Sequence, residues 1–226
     1  MALYTPRNVP LNWYRFDASG SVELLAAYVE DIETQVAKGI AEYKANTNTT
    51  VVKNFDEDSV VGLHKGLDDG TWHFPEVFEV YFPNLQRRSA LITLYSFFEH
   101  ELDKLCDLIR KQDKLLAKVT DMTDTGVKRS ALYLSKLGGI DPGLNTHHWE
   151  KIQNIKHIRN LVVHADGRLE DGEVRKKKED AIIEKSPLLE GGREVIIKDG
   201  YLLEVLKTFD DYFKFLDANL SAKYLV

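Results

Sequence analysis

The sequence predicts an all-α protein: a helical bundle carrying a small β-hairpin insertion and an extra helix at its N-terminal side. Three observations lead there. From about residue 84 to 118, Leu91, Tyr95, Phe98, Leu102, Leu105 and Ile109 recur at helical spacing, and Leu94, Phe97 and Leu108 widen the stripe. Shorter segments with the same period begin at capping residues and stop at glycines. The β-branched stretch Val195-Ile196-Ile197 is the one segment singled out as a hairpin strand.

Taken in order, Met1 to Phe16 mixes prolines with Trp13, Tyr14 and Phe16 and reads as an extended arm that docks through its aromatics. Ser19 or Ser21 can cap a first helix, with Glu23 favourable in its first turn. Leu24, Leu25, Tyr28, Ile32, Val36 and Ile40 then follow helical spacing, until Asn46-Thr-Asn-Thr-Thr ends the helix. Residues 47–74, with Gly62, Gly66 and Gly70, read as a connection. Pro75 suits the first turn of a short helix, and Pro83 marks the boundary before the long one.

A shorter helix spans about Val127 to Leu137 and is closed by Gly138-Gly139. Asn145 or Thr146 caps the next, which runs to about Val163 with Ile152, Ile155, Ile158 or Arg159, and Val162 along one side. Asp166-Gly167 ends it. Residues 168–198 hold Asp171-Gly172, a lysine run and the hairpin. The last helix starts near Asp199, with Leu203, Leu206, Phe209, Phe213 and Leu216 as its buried edge. The chain therefore divides into an N-terminal arm, helix and connecting loop (1–74) and a helical domain (75–226).

Composition narrows the function classes. The 226 residues are 43% hydrophobic and 29% charged, as in ordinary folded proteins. No apolar run approaches the roughly 20 residues that cross a bilayer, so no membrane association is expected. The first ten residues lack the apolar stretch of a secretion signal. A single cysteine, Cys106, cannot form an internal disulfide, which points to a cytoplasmic location. A formal net charge of −6 argues against a protein that coats nucleic acid, but not against a local basic cleft.

The segment carrying chemistry is His157-Ile158-Arg159-Asn160-Leu161-Val162-Val163-His164, at the end of a helix. Arg followed by His four to six residues on is weak alone: ten arginines, three spacings and seven histidines give about 0.9 chance matches. Requiring Asn directly after Arg, at one fixed spacing, lowers this to roughly 0.01. Asn160 and His164 are four apart and share a helix face, with His157 a turn back and Arg159 beside the line. The competing structural reading pairs Arg159 with an acid and makes His164 a C-terminal cap.

This segment resembles the Arg-x4-6-His motif of HEPN domains, in the form with a polar residue after the arginine. The order of a long helix, a shorter one, the motif helix and a closing helix is similar too, over roughly residues 75–220. Ser96-Phe97-Phe98-Glu99-His100-Glu101 looks similar to the acidic segment that many such domains carry opposite the motif. The resemblance implies a HEPN-like bundle and metal-independent endoribonuclease activity in a homodimer that brings two motifs to one cleft. Arg159, Asn160 and His164 would be its catalytic residues, with Ser96, Glu99, His157, Lys176 and Lys177 as weaker binding candidates. RNA would be the substrate, no cofactor is called for, and a toxin or antiviral-defence role would add an antitoxin or regulatory protein. The alternative is a non-catalytic HEPN-like module that binds a nucleotide or a protein partner. A purely structural helical interaction protein, using the aromatic arm, is a third reading.

Other groups give weaker signals. His157 and His164 are seven apart, about 10 Å along a helix, too far to share one ion. No cysteine pair or His-Glu-x-x-His is present, so zinc is not expected. Cys106 reads as a small buried residue. The run Arg175-Lys176-Lys177-Lys178 is a solvated face or an RNA-backbone contact, with Arg87-Arg88 and Lys128-Arg129 as lesser candidates. Trp13, Trp72 and Trp149 are expected to pack. Gly138-Gly139 and Gly191-Gly192 lack the spacing and lysine of a phosphate loop.

Overall fold

The structure, a computed structural model, describes residues 9–53, 58–169 and 173–225. It is mostly helical. Its helices are α1 (Pro10–Trp13), α2 (Ser19–Lys44), α3 (Phe82–Gln112), α4 (Gly126–Lys136), α5 (His147–Ala165), α6 (Glu173–Glu184) and α7 (Tyr201–Tyr224). Strands β1 (Thr49–Lys53), β2 (Asp58–His64) and β3 (Leu67–Asp68) form an antiparallel sheet in that order. Strands β4 (Leu189–Gly191) and β5 (Val195–Ile197) pair as the hairpin expected near 195–197, with Glu190 opposite Ile196.

The core lies where α3, α5 and α7 meet. Phe98 of α3 stacks flat on Phe209 of α7 (centroids 4.1 Å apart), and Phe213 stacks beside it. From α5, Ile152, Ile155, Ile158 and Val162 are buried, the flank read from the sequence. Removing each such side chain from water stabilises the fold by about 1.5–3 kcal/mol. Trp13 sets its edge against Phe213 and donates from Nε1 to Glu101, a carboxylate that is only 4% exposed (3.1 Å). That bond supplies a partner which a buried charge requires.

Several expectations are corrected. Residues 1–8 lie outside the described residues, but the rest of the arm is helical, not extended. Pro10 opens α1 at the position where a missing N–H is harmless, and a π-helical turn (Tyr14–Ala18) runs straight into α2. The α-helix does begin at Ser19, but neither serine caps it, because the backbone before it is already helical; Ser19 instead bonds back to the carbonyl of Arg15. Pro83 does sit in the first turn of α3, at the expected boundary, but the boundary is a change of helix type and not a break. A π-helical turn (Glu76–Tyr81) precedes α3, with the Phe82 amide bonded to Val77, so the wider turn carries the chain past a proline that would crowd an α turn.

The supposed loop at 47–74 contains the sheet, fastened by stacking of Tyr43 on Phe78 and by His64 edge-on to the same ring. The lysine run lies on α6, a helix where no element was expected. On α7, Leu206, Phe209, Phe213 and Leu216 are buried as expected, but Leu203 is 48% exposed, and the buried edge extends instead to Leu202, Val205 and Tyr212. Trp72 is also 48% exposed, whereas Trp13 and Trp149 pack.

One buried amide ties the β4–β5 hairpin to α3. Asn84, 1% exposed, donates from Nδ2 to the Val195 carbonyl (3.1 Å) and accepts at Oδ1 from the Ile197 amide (2.9 Å). Asn84→Ala removes both bonds and strands a buried backbone N–H. A loss of about 2–4 kcal/mol is expected in urea unfolding, with Asn84→Asp recovering less than half of it.

Candidate active site

An open polar cleft of about 430 Å³ lies between α3, α4 and α5. Helical spacing builds each wall. On α5, Lys156, Asn160 and His164 fall at i, i+4 and i+8 with Arg159 beside them; on α3, Tyr95, Glu99 and Asp103 do the same. His100 joins the α3 wall, and the start of α4 adds Thr125, Gly126 and Arg129. The apolar flank of α5 is buried away from the cleft, so its polar flank is turned into it. Arg129, Lys156 and Arg159 face two carboxylates, leaving a local positive excess in a chain of net charge −6.

Arg159 is held on two sides. Its guanidinium lies over the Tyr95 ring, 5.4 Å from the centroid, and Nη1 donates to Asn160 Oδ1 (3.0 Å). Its Nε is buried and has no hydrogen-bond partner among the described residues. The Tyr95 hydroxyl is likewise buried without a partner. Burial pushes its ionisation well above the ordinary tyrosine range; Glu99 adds to that and Arg159 opposes it. An unsatisfied buried hydroxyl costs about 1–3 kcal/mol, so the fold carries a penalty here.

The opposite wall is more firmly tied. Asp103 accepts from Arg129 Nη2 and from Ser130 Oγ, both at 2.6 Å. Glu99 presses its carboxylate on the first turn of α4, where Gly126 has φ of +57° and a Cβ would lie 2.5 Å from Glu99 Oε1. Only a glycine meets both demands.

His164 is exposed at the last turn of α5. The chain then turns through two left-handed residues, Asp166 (φ 53°) and Gly167 (φ +74°), whose amides both bond to the Leu161 carbonyl. Arg88, 3% exposed, locks this turn by pairing with Asp166 and with Glu194 of the hairpin (3.1 Å). Arg87 pairs with Glu33 of α2 at 2.6 Å. Both arginines thus tie elements together; neither lines the cleft.

Of the sequence candidates, Arg159, Asn160, His164 and Glu99 come together. Ser96 does not join them: its hydroxyl bonds back to the Ile92 carbonyl on an exposed face of α3. His157 lies just past the edge of the α5 arc that faces the cleft and meets Glu179 of α6 (3.5 Å). The side chains of Lys176 and Lys177 lie outside the described residues. Arg129, a lesser candidate with Lys128, also lines the cleft, whereas Tyr95, Asp103 and Lys156 were not singled out as site residues. The spacing Lys156-Asn160-His164 was the available signal for the last of them.

On the far side of α5 is a second hollow of about 220 Å³, floored by Ile155, Ile182, Leu189, Tyr201 and Val205. Among the described residues, no group of three or more His, Cys, Asp or Glu could hold a metal ion, and no helix is long and apolar enough to cross a membrane. No family model matches the chain, and no curated protein or solved structure matches it significantly.

Gly126→Ala should lower stability by about 1–2 kcal/mol from the left-handed backbone alone. Displacement of Glu99 should add to that. In a Glu99→Ala background the added part should vanish, as a double-mutant cycle in urea will report.

Proposed function

We propose that this chain is a HEPN-type, metal-independent endoribonuclease. The observation that carries the reading is the meeting of Arg159, Asn160 and His164, adjacent in sequence at one helix end, in a single positively biased cleft. In RNA, the 2′-oxygen can bond to the neighbouring phosphorus while the bond to the 5′-oxygen breaks, leaving a 2′,3′-cyclic phosphate and a 5′-hydroxyl. One group must take the 2′-hydroxyl proton and another must protonate the departing oxygen. His164, exposed at the cleft, serves one of these roles, since imidazole exchanges protons near neutral pH. Arg159 and Lys156 neutralise the charge that accumulates on the phosphate. The carbonyl oxygen of Asn160 orients Arg159, and its amide nitrogen is left to face the substrate.

The second acid or base comes from the same motif of another copy, so the active form is a homodimer with two motifs at one cleft. A toxin or defence role, checked by an antitoxin or regulatory protein, belongs to the same proposal and rests on the resemblance of the motif. One observation favours the alternative of a non-catalytic module binding a nucleotide or protein partner: the second hollow, with its apolar floor and the lysines Lys151 and Lys185 at its margin.

Purified protein, Arg159→Ala and His164→Ala are compared on total RNA in EDTA. The parent should cleave, and each variant should be slower by about 100-fold or more. Equal cleavage by all three would assign the activity to a contaminant. No cleavage by the parent leaves the binding module as the better account. Sedimentation of the active protein should show a dimer.

A further inference from the structure

We propose that the Tyr95 hydroxyl donates a hydrogen bond to the phosphate that Arg159 engages, making Tyr95 part of the anion-binding machinery of the cleft. The inference rests on the ribonuclease reading. The ring of Tyr95 belongs to the core, 1% exposed and close to Phe98 and Phe209. A phenylalanine would fill that space equally well. What the phenylalanine lacks is the hydroxyl, and that group is buried with no partner among the described residues. Buried polar groups are nearly always satisfied, so an orphan at the wall of a cleft calls for an acceptor that arrives from outside.

The chemistry of that acceptor follows from the neighbours. The hydroxyl keeps its proton, because burial and the nearby Glu99 both oppose ionisation, so it acts as a donor. Arg159 Nε, from the α5 wall, is a second buried donor without a partner among the described residues, and the Arg159 guanidinium lies over the Tyr95 ring. Lys156 adds a cation to the same lining. Two donors without acceptors beside two positive charges suit an oxyanion with several acceptor oxygens, as a phosphodiester has. An oxyanion that takes the remaining donors of the guanidinium is brought to the edge of the phenol, where the hydroxyl completes its coordination.

Tyr95→Phe keeps the ring and its stack with Arg159, so it isolates the hydroxyl. The variant, the parent and Arg159→Ala are compared by thermal unfolding, by cleavage of single-stranded RNA in EDTA, and by binding of the 2′-O-methyl form of that RNA, which lacks the nucleophile. Tyr95→Phe should unfold at the same or a higher temperature, yet cleave at least tenfold more slowly at saturating RNA. A variant that cleaves and binds like the parent overturns the proposal and leaves the ribonuclease reading standing. Loss of stability together with activity assigns the hydroxyl to the fold, and also overturns it. If the parent binds without cleaving, weaker binding by Tyr95→Phe upholds the anion-binding role and equal binding refutes it. A parent that neither cleaves nor binds RNA removes both readings.

Discussion

Burial of the isoleucine flank of α5 against α3 and α7 is the constraint from which the cleft follows. With Ile152, Ile155, Ile158 and Val162 sequestered, the helix has no rotational freedom. Its polar flank must then face the gap between α3 and α4. The same logic fixes the other wall, since Phe98, Leu102 and Leu105 are buried in the core and leave Glu99 and Asp103 at the cleft. Rigid aliphatic and aromatic packing positions these side chains, and the pairs Arg129–Asp103 and Arg159–Asn160 then fix their orientation.

Polar ties refine what the core sets. Arg88 fastens the left-handed turn that follows His164 to both α3 and the hairpin. Because Arg88 is almost wholly buried, its charge depends on Asp166 and Glu194 together, and loss of both would leave it unpaired in a dry site. The last turn of α5 is thereby steadied from behind, although His164 itself is open to solvent.

What could be read from the sequence was whatever local periodicity or capping encodes. The apolar stripe of α3, the Thr146 cap and Asp166-Gly167 stop of α5, and the β-branched triplet of β5 all announce themselves within a few residues. The sheet at 49–68 did not, because Val51, Val52 and Val60 are exposed and no alternation of buried and exposed residues marks the strands. Helix α6 escaped notice because its sequence, rich in lysine and glutamate, has no apolar stripe. The site followed the same division. Arg159, Asn160 and His164 sit within six positions of one another, whereas Tyr95, Asp103 and Arg129 join them only through the packing of three helices. Pro83 marks the start of α3 correctly, but nothing local announces that the turn before it is π-helical and continuous with it.

The amide of Asn84 offers a carbonyl and an N–H2 in nearly the spacing of a peptide group, and it presents them to the outer edge of β5. A two-stranded ribbon is barely stable in water by itself. Here a side chain continues along β5 what the backbone of Gly167 begins at Val195, so the hairpin is fastened both by α3 and by the turn after α5. The outer edge of β5 is thereby occupied at Val195 and Ile197, and so is closed to a strand from another molecule.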